Sequence, residues 1–125
     1  MQLIAIALGG ALGAVARYLS VVAIGSLLGV TFPWGTLSVN VVGSFVMGVL
    51  VVVFDGLQWL PMNVKLLATI GFLGSFTTFS TFSMDTMRLL ETGQTTQALG
   101  YMACSLILTV AACALGLLLA RGLIS

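Results

Sequence analysis

Residues 35–54 read GTLSVNVVGSFVMGVLVVVF, a stretch without one charged side chain. A helix that crosses the hydrocarbon core of a bilayer needs about 20 predominantly apolar residues, so this stretch is long enough to span a membrane. Comparable apolar stretches cover about residues 3–27, 64–90 and 95–120. The sequence therefore predicts four membrane-spanning helices.

The composition supports the same conclusion. Of the 125 residues, 60% are hydrophobic and 6% are charged, and the mean hydropathy is +1.24. Soluble domains carry about 25% charged residues, and a few charged side chains do not cover a water-facing surface. We predict an all-α, multi-pass integral membrane protein that forms one domain, residues 1–125. A net charge of +1 gives no support to a nucleic-acid partner, and the absence of histidine excludes an imidazole relay.

The basic residues do not favour one orientation in the membrane. Short loops make neighbouring spans antiparallel, which leaves Lys65 and Arg121 near one side and Arg17 and Arg88 near the other. This balance favours dual topology, in which oppositely inserted copies pair, although the partner or the context of translation can also fix a single orientation. Only Gln2 precedes the first apolar run after the initial methionine, so we expect this span to be retained rather than cleaved as a signal peptide.

Four helices enclose little volume, and we expect two copies to be needed for a water-lined path. Small residues four apart let helices approach closely in lipid, and such pairs occur in the first two spans. This spacing is common in membrane helices and is weak evidence for dimerisation. The pairs include Gly9 with Gly13, Gly10 with Ala14, and Ser44 with Gly48.

The third span contains GFLGSFTTFSTFS at residues 71–83. Two glycines followed by hydroxyl-bearing and β-branched residues make a poor continuous helix, so we predict that this helix is broken. Backbone carbonyls freed near Gly74 and Thr77 would be suited to a cation. Phe79 and Phe82 share a helix face, and the positive edges of their rings are suited to an anion path, although packing alone also explains them.

One amide and one charged residue lie inside the first two spans. Asn40 offers amide donors without a formal charge, either to an anion or as a hydrogen-bond clamp between helices. Arg17 is costly in lipid unless it is paired. It either extends to the headgroups or serves as a structural hydrogen-bond hub at a pore vestibule.

The fourth span carries a stripe of hydroxyl groups. Tyr101, Ser105 and Thr109 are four residues apart and lie on one face, where they would donate either to an anion that has lost its water or to the backbone of a neighbouring helix. Asp85 lies one turn beyond Phe82. It would pair with Arg88, three residues on, or cap a pore mouth.

Four segments resemble the Fluc (CrcB) fluoride-channel family, and the resemblance covers the whole chain. The Thr-Phe-Ser-Thr-Phe sequence is highly specific, whereas the glycine-rich opening is not. The segments are Gly9–Tyr18, Gly35–Asn40, Gly71–Gly74 and Thr78–Ser83.

The resemblance implies a fluoride-selective passive channel that exports cytoplasmic fluoride across the cell (inner) membrane, built as an antiparallel dual-topology homodimer with two pores. It implies a pore-lining amide at Asn40 and a phenylalanine pair at Phe79 and Phe82. It also implies a structural sodium ion at the dimer centre, held by the backbone carbonyls of Gly74 and Thr77. The implied hydroxyl track comprises Ser80, Thr81, Tyr101, Ser105 and Thr109.

This sequence departs from the family pattern at a few positions. Ser75 stands where a further glycine is usual, which bears on the geometry of the helix break. Asp85 stands where glutamate is usual, so a vestibule role there needs a shorter reach. Tyr101 matches only part of the family.

Three other classes of protein fit the residues less well. A small four-helix proton-coupled multidrug exporter needs a carboxylate in its first span, and this span has Arg17 and no acid. A membrane assembly subunit without transport activity would explain the glycines but not the hydroxyl stripe. An enzyme is not expected, because no nucleophile–base pair, metal-ligand set or P-loop lysine is present.

Overall fold

The computed structural model describes residues 1–124, and within them it has four long apolar helical spans. They cover Gln2–Leu28, Trp34–Gly56, Met62–Glu91 and Thr95–Ile124. Most of their outer surface is apolar, as lipid-facing positions require. Leu19, for example, is 60% exposed and Leu118 is 64% exposed. The prediction of an all-helical membrane protein with four spans is confirmed.

We number the α-helices in chain order. The first, second and fourth spans are single helices, and the third span combines three α-helices with one π-helix. The elements are α1 (Gln2–Leu28), α2 (Trp34–Gly56), α3 (Met62–Leu66), the π-helix (Leu67–Leu73), α4 (Gly74–Phe76), α5 (Phe79–Glu91) and α6 (Thr95–Ile124).

Glycines with positive φ end two of the spans. Gly29 follows α1 with φ 89°, and its N–H donates to the carbonyl of Gly25 at 2.8 Å. Gly93 has φ 80° in the turn between α5 and α6, where the N–H of Gln94 donates to the carbonyl of Leu89 at 2.8 Å. Only glycine adopts this conformation without strain, so both spans stop where the sequence places it.

The small residues bring helices together within one chain. A Cβ at Gly9 would overlap the carbonyl oxygen of Leu67, and one at Gly13 would overlap that of Phe72, so α1 packs directly on the π-helix. A Cβ at Gly48 would overlap the carbonyl oxygen of Cys113 where α2 crosses α6. These glycines therefore contact other helices of the same protomer and are no evidence for contact between protomers.

Helical geometry stops at Phe76 and resumes at Phe79. Thr77 (φ −87°, ψ 155°) and Thr78 (φ −151°, ψ 122°) have extended backbone between α4 and α5. The interruption lies after the two glycines, not at them. Gly71 instead lies against α1, where a Cβ would be 2.8 Å from the carbonyl oxygen of Ile6.

The buried core lies near the end of the molecule at which α5 turns into α6. Tyr101 and Ala98 are fully buried there, and the ring of Phe82 packs against this core from α5. The core thus joins α2, α5 and α6 beside the interrupted segment.

Candidate functional site

A groove of about 480 Å³ lies between α2, the Thr77–Thr78 interruption, α5 and α6. None of the side chains that line it is ionisable. Six of the ten lining residues are among those singled out from the sequence. The lining residues are Asn40, Ser44, Thr77, Thr78, Phe79, Phe82, Met102, Ser105, Leu106 and Thr109.

Asn40 is clamped to the backbone of the interruption. Its Nδ2 donates to the carbonyl oxygen of Thr78 at 3.0 Å, and its Oδ1 accepts the N–H of Thr78 at 2.7 Å. Asn40 therefore forms a hydrogen-bond clamp between α2 and the interruption. An amide nitrogen carries two hydrogens, and one of them remains available on the groove wall.

At the clamp and at the N-cap of α5, two backbone N–H groups donate to side chains instead of to helix carbonyls. In a continuous α-helix the N–H of Thr78 would bind the carbonyl of Gly74, and that of Thr81 would bind the carbonyl of Thr77. Here Thr78 donates to Asn40, and Thr81 donates to the Thr78 hydroxyl at 3.2 Å. The carbonyls of Gly74 and Thr77 have thus lost their helical donors, and this fits the cation ligands that the resemblance implies.

Arg17 reaches the interrupted segment from α1. Its Nε donates to the carbonyl oxygen of Ser75 at 3.0 Å, and its side chain is half-buried. In a continuous helix that carbonyl would accept the N–H of Phe79. Arg17 therefore binds protein backbone, in agreement with a structural hub rather than simple extension to the headgroups.

The two phenylalanines of the motif meet at one wall of the groove. The ring centroids of Phe79 and Phe82 are 5.4 Å apart with an interplanar angle of 40°. Phe79 is 78% exposed, whereas Phe82 is half-buried with its ring centroid 5.1 Å from that of Tyr101. Ring edges carry partial positive charge, so this wall offers weak attraction to an anion without a cation.

The two hydroxyls of α6 in the groove differ in their partners. Thr109 Oγ1 donates to the carbonyl of Ser105 at 2.6 Å, the local bond common for hydroxyls in helices. Ser105 is 7% exposed, and its Oγ has no hydrogen-bond partner among residues 1–124. A buried polar group without a partner costs free energy, so Ser105 is a donor that a bound species would satisfy.

Three predicted track residues lie outside the groove lining. Ser80 is exposed on the first turn of α5, and Thr81 accepts a hydrogen bond from the Thr78 hydroxyl at 3.1 Å. Tyr101 is fully buried, and its hydroxyl donates to Asp85 Oδ2 at 3.2 Å. No salt bridge joins Asp85 to Arg88 within residues 1–124, so the expected pair does not form.

The sequence interpretation missed Thr78, the residue on which the interruption depends. It is the N-cap of α5, and Asn40 binds both its N–H and its carbonyl oxygen. Threonine is among the residues preferred at a helix N-cap, and this preference is the signal that could have identified it. Met102 and Leu106 also line the groove and were not singled out, and Ser44, which lines it too, was named only for its spacing from Gly48.

The fold and the groove define a class: a small four-span membrane protein with an uncharged groove lined by apolar side chains, hydroxyls and one amide. The sequence pattern of the family described as CrcB-like protein, Camphor Resistance (CrcB), matches residues 4–117, and this chain belongs to that family. Curated relatives agree over nearly their whole length. A Magnetococcus marinus protein named Fluoride-specific ion channel FluC is 50% identical, covering 97% of this chain and 98% of its own.

Two further relatives carry the same name. The protein from Cereibacter sphaeroides is 50% identical over 97% of this chain and 95% of its own, and that from Nitrobacter winogradskyi is 44% identical over 95% and 94%. The resemblance identified from the sequence motifs is thereby confirmed.

Proposed function

We propose that this protein is a passive, fluoride-selective ion channel. The relatives are named as fluoride-specific channels, and the groove has the chemistry that such a channel needs. The observation that carries the proposal is the buried, unpartnered hydroxyl of Ser105 in a groove lined by an amide and two aromatic rings and by no charge. A channel is not an enzyme, in agreement with the expectation from the sequence.

Uncharged donors suit fluoride because conduction requires release as well as binding. Fluoride is small and strongly hydrated, so a narrow path must replace its water with several close donors. A buried cation would hold the ion too tightly, whereas neutral hydroxyl and amide donors replace hydration without trapping it. The Ser105 hydroxyl, the second Asn40 N–H and the ring edges of Phe79 and Phe82 would act in this way.

The hydroxyl track extends this path beyond the groove. Thr109 and Ser105 lie in the groove, and Tyr101 is the next member of the stripe along α6. We infer that Ser80 and Thr81, on the first turn of α5, contribute hydroxyls to the same track. Asp85 and Arg17 are assigned to the vestibule and to its structural support.

Two copies would complete the pore. The groove of one protomer is open, and Phe79 projects from it with 78% of its surface exposed. An antiparallel homodimer would cover these surfaces and form two equivalent pores. The two-against-two distribution of basic residues is compatible with dual topology.

Labelling tests the dual topology. A variant with Cys104 and Cys113 replaced by alanine and one cysteine added at Gln58, in the exposed loop between the second and third spans, should react with an impermeant maleimide from both sides of the membrane. Labelling from one side only would contradict it.

A sodium ion is proposed at the centre of this dimer. The carbonyls of Gly74 and Thr77, whose usual helical donors bind elsewhere, would hold it. Such an ion would satisfy backbone oxygens that lipid leaves exposed and would stabilise the interrupted third span.

The cellular role follows from the proposed transport. A passive channel in the cell (inner) membrane would let cytoplasmic fluoride leave down its gradient. The multidrug-exporter alternative lacks the carboxylate that proton coupling needs in the first span, and family membership speaks against it.

Ion efflux from vesicles tests the function. Purified protein in liposomes loaded with fluoride or chloride, with potassium permeability clamping the voltage, should release fluoride and retain chloride. Equal release of both ions would contradict fluoride selectivity, and release of neither would contradict channel function.

A further inference from the structure

A second cavity, of about 260 Å³, shares no lining residue with the groove. It lies where the loop between α1 and α2 meets the turn between α5 and α6, at the end of the spans. Its polar residues come from both sides of this junction. They are Thr31, Asp85, Arg88, Thr92 and Gln94.

Arg88 is an unpaired cation on the wall of this cavity. Its side chain is exposed and has no acidic partner among residues 1–124. Asp85, one turn earlier on α5, accepts the Tyr101 hydroxyl instead. A guanidinium carries five N–H donors and no acceptor, so Arg88 presents only positive charge and donors to the cavity.

Gln94 adds no exposed hydrogen-bond acceptor to the cavity. The Nε2 of Gln94 donates to Thr92 Oγ1 at 3.2 Å, and its Oε1 is buried. Thr92 Oγ1 donates its hydrogen to the carbonyl oxygen of Arg88 at 2.8 Å. A cavity at the end of the spans with an exposed guanidinium on its wall suits a small inorganic anion.

The buried Tyr101 contacts a lining residue of this cavity and a lining residue of the groove. Asp85 lines the cavity and binds the hydroxyl of Tyr101, and the ring of Tyr101 contacts Phe82 on the groove wall. The carboxylate of Asp85 opposes an approaching anion and so offsets the charge of Arg88. Binding there would be weak, as an entrance requires.

We propose that this cavity is an anion-collecting vestibule in which Arg88 draws fluoride from water toward the end of the groove. The inference rests on the proposed channel function. A single exposed charge several ångströms from the ion changes the local anion concentration about two- to threefold in water. Salt screens this attraction.

Charge removal at Arg88 tests the vestibule. Fluoride efflux from vesicles is compared for wild-type protein and Arg88→Gln at about 0.01 M and about 0.3 M ionic strength, adjusted with an impermeant salt. We expect initial efflux about two- to threefold slower for the variant at low ionic strength and equal rates at high ionic strength. Arg88→Lys keeps the charge and should match wild type under both conditions.

Lys65→Gln is the matched control. It removes the same charge from α3, which contributes no residue to this cavity, and should leave efflux unchanged. Equal wild-type and Arg88→Gln rates at low ionic strength would overturn the vestibule alone. A deficit that persists at high ionic strength, or one shared by Lys65→Gln, would also overturn it. Wild-type vesicles that release no fluoride would instead contradict the channel function.

Discussion

Two regions of this protein hold their helices together in lipid by opposite means. Where α2 crosses α6, Gly48 and Gly116 let the two backbones approach, and a Cβ at either would overlap a carbonyl oxygen of the other helix. At the interruption of the third span, Arg17 and Asn40 instead hold the backbone of Ser75 and Thr78 by hydrogen bonds. The first region has no polar side chain at its contact, and the second is built from them.

The difference explains where function is located. Lipid gives little hydrophobic drive for helix association, so α2 and α6 depend on close contact between small residues. That contact leaves nothing for an ion to bind. The interruption frees carbonyls and brings the groove residues together, at the cost of needing polar side chains to replace the lost helix bonds.

The largest expected effect is at the glycine crossing. Gly48→Val should destabilise the protein by about 3 kcal/mol or more, because the added carbons overlap the backbone of Cys113, which has little room to move. Thermal unfolding and the yield of monodisperse protein measure this. Gly100→Ala on α6, with no atom within 4 Å of its Cβ position, should leave both unchanged. Equal stability of the two variants would show that the crossing tolerates side chains.

The aromatic wall should affect transport, and at Phe79, which is 78% exposed, it should do so without loss of stability, whereas Phe82 also packs against the core. Phe79→Ile or Phe82→Ile should slow fluoride efflux about tenfold, equivalent to ~1.4 kcal/mol in the barrier, because an aliphatic side chain has no positive ring edge. Phe54→Ile, outside the groove, is the control and should retain wild-type flux. Unchanged flux in both groove variants would assign the rings to packing.

The smallest effect is expected at the unpartnered hydroxyl. Ser105→Ala should slow efflux about three- to tenfold, since one donor is lost, with no loss of thermal stability because no protein hydrogen bond is broken. Ser26→Ala, whose hydroxyl donates to the carbonyl of Ala23 in α1, should not change efflux. A Ser105→Ala protein with wild-type flux but lower stability would indicate a structural role.

Helical periodicity predicted much of this arrangement. It placed Phe79 with Phe82, and Ser105 with Thr109, on shared helix faces, and the structure brings both pairs to one groove. Hydropathy predicted the four spans for the same reason, because both signals are local along the chain.

The residues that contact a given helix face come from distant parts of the chain. The sequence predicted these contacts less well. The spacing of Gly9 and Gly13 gave no sign that they contact the π-helix of the same chain. Two roles stayed open for Asn40 until its contacts with Thr78 were known. Asp85 is three residues from Arg88, yet it binds Tyr101 across the core.

The central claim is that a groove without charge carries fluoride past the interrupted span. Asn40→Asp tests it most directly, because it keeps an oxygen for the Thr78 N–H, removes the donor to the Thr78 carbonyl and adds a negative charge to the groove wall. Asn63→Asp, on α3, is the matched control. The account predicts folded Asn40→Asp protein that releases no fluoride from vesicles and an Asn63→Asp protein with wild-type release. Wild-type release from Asn40→Asp would contradict it.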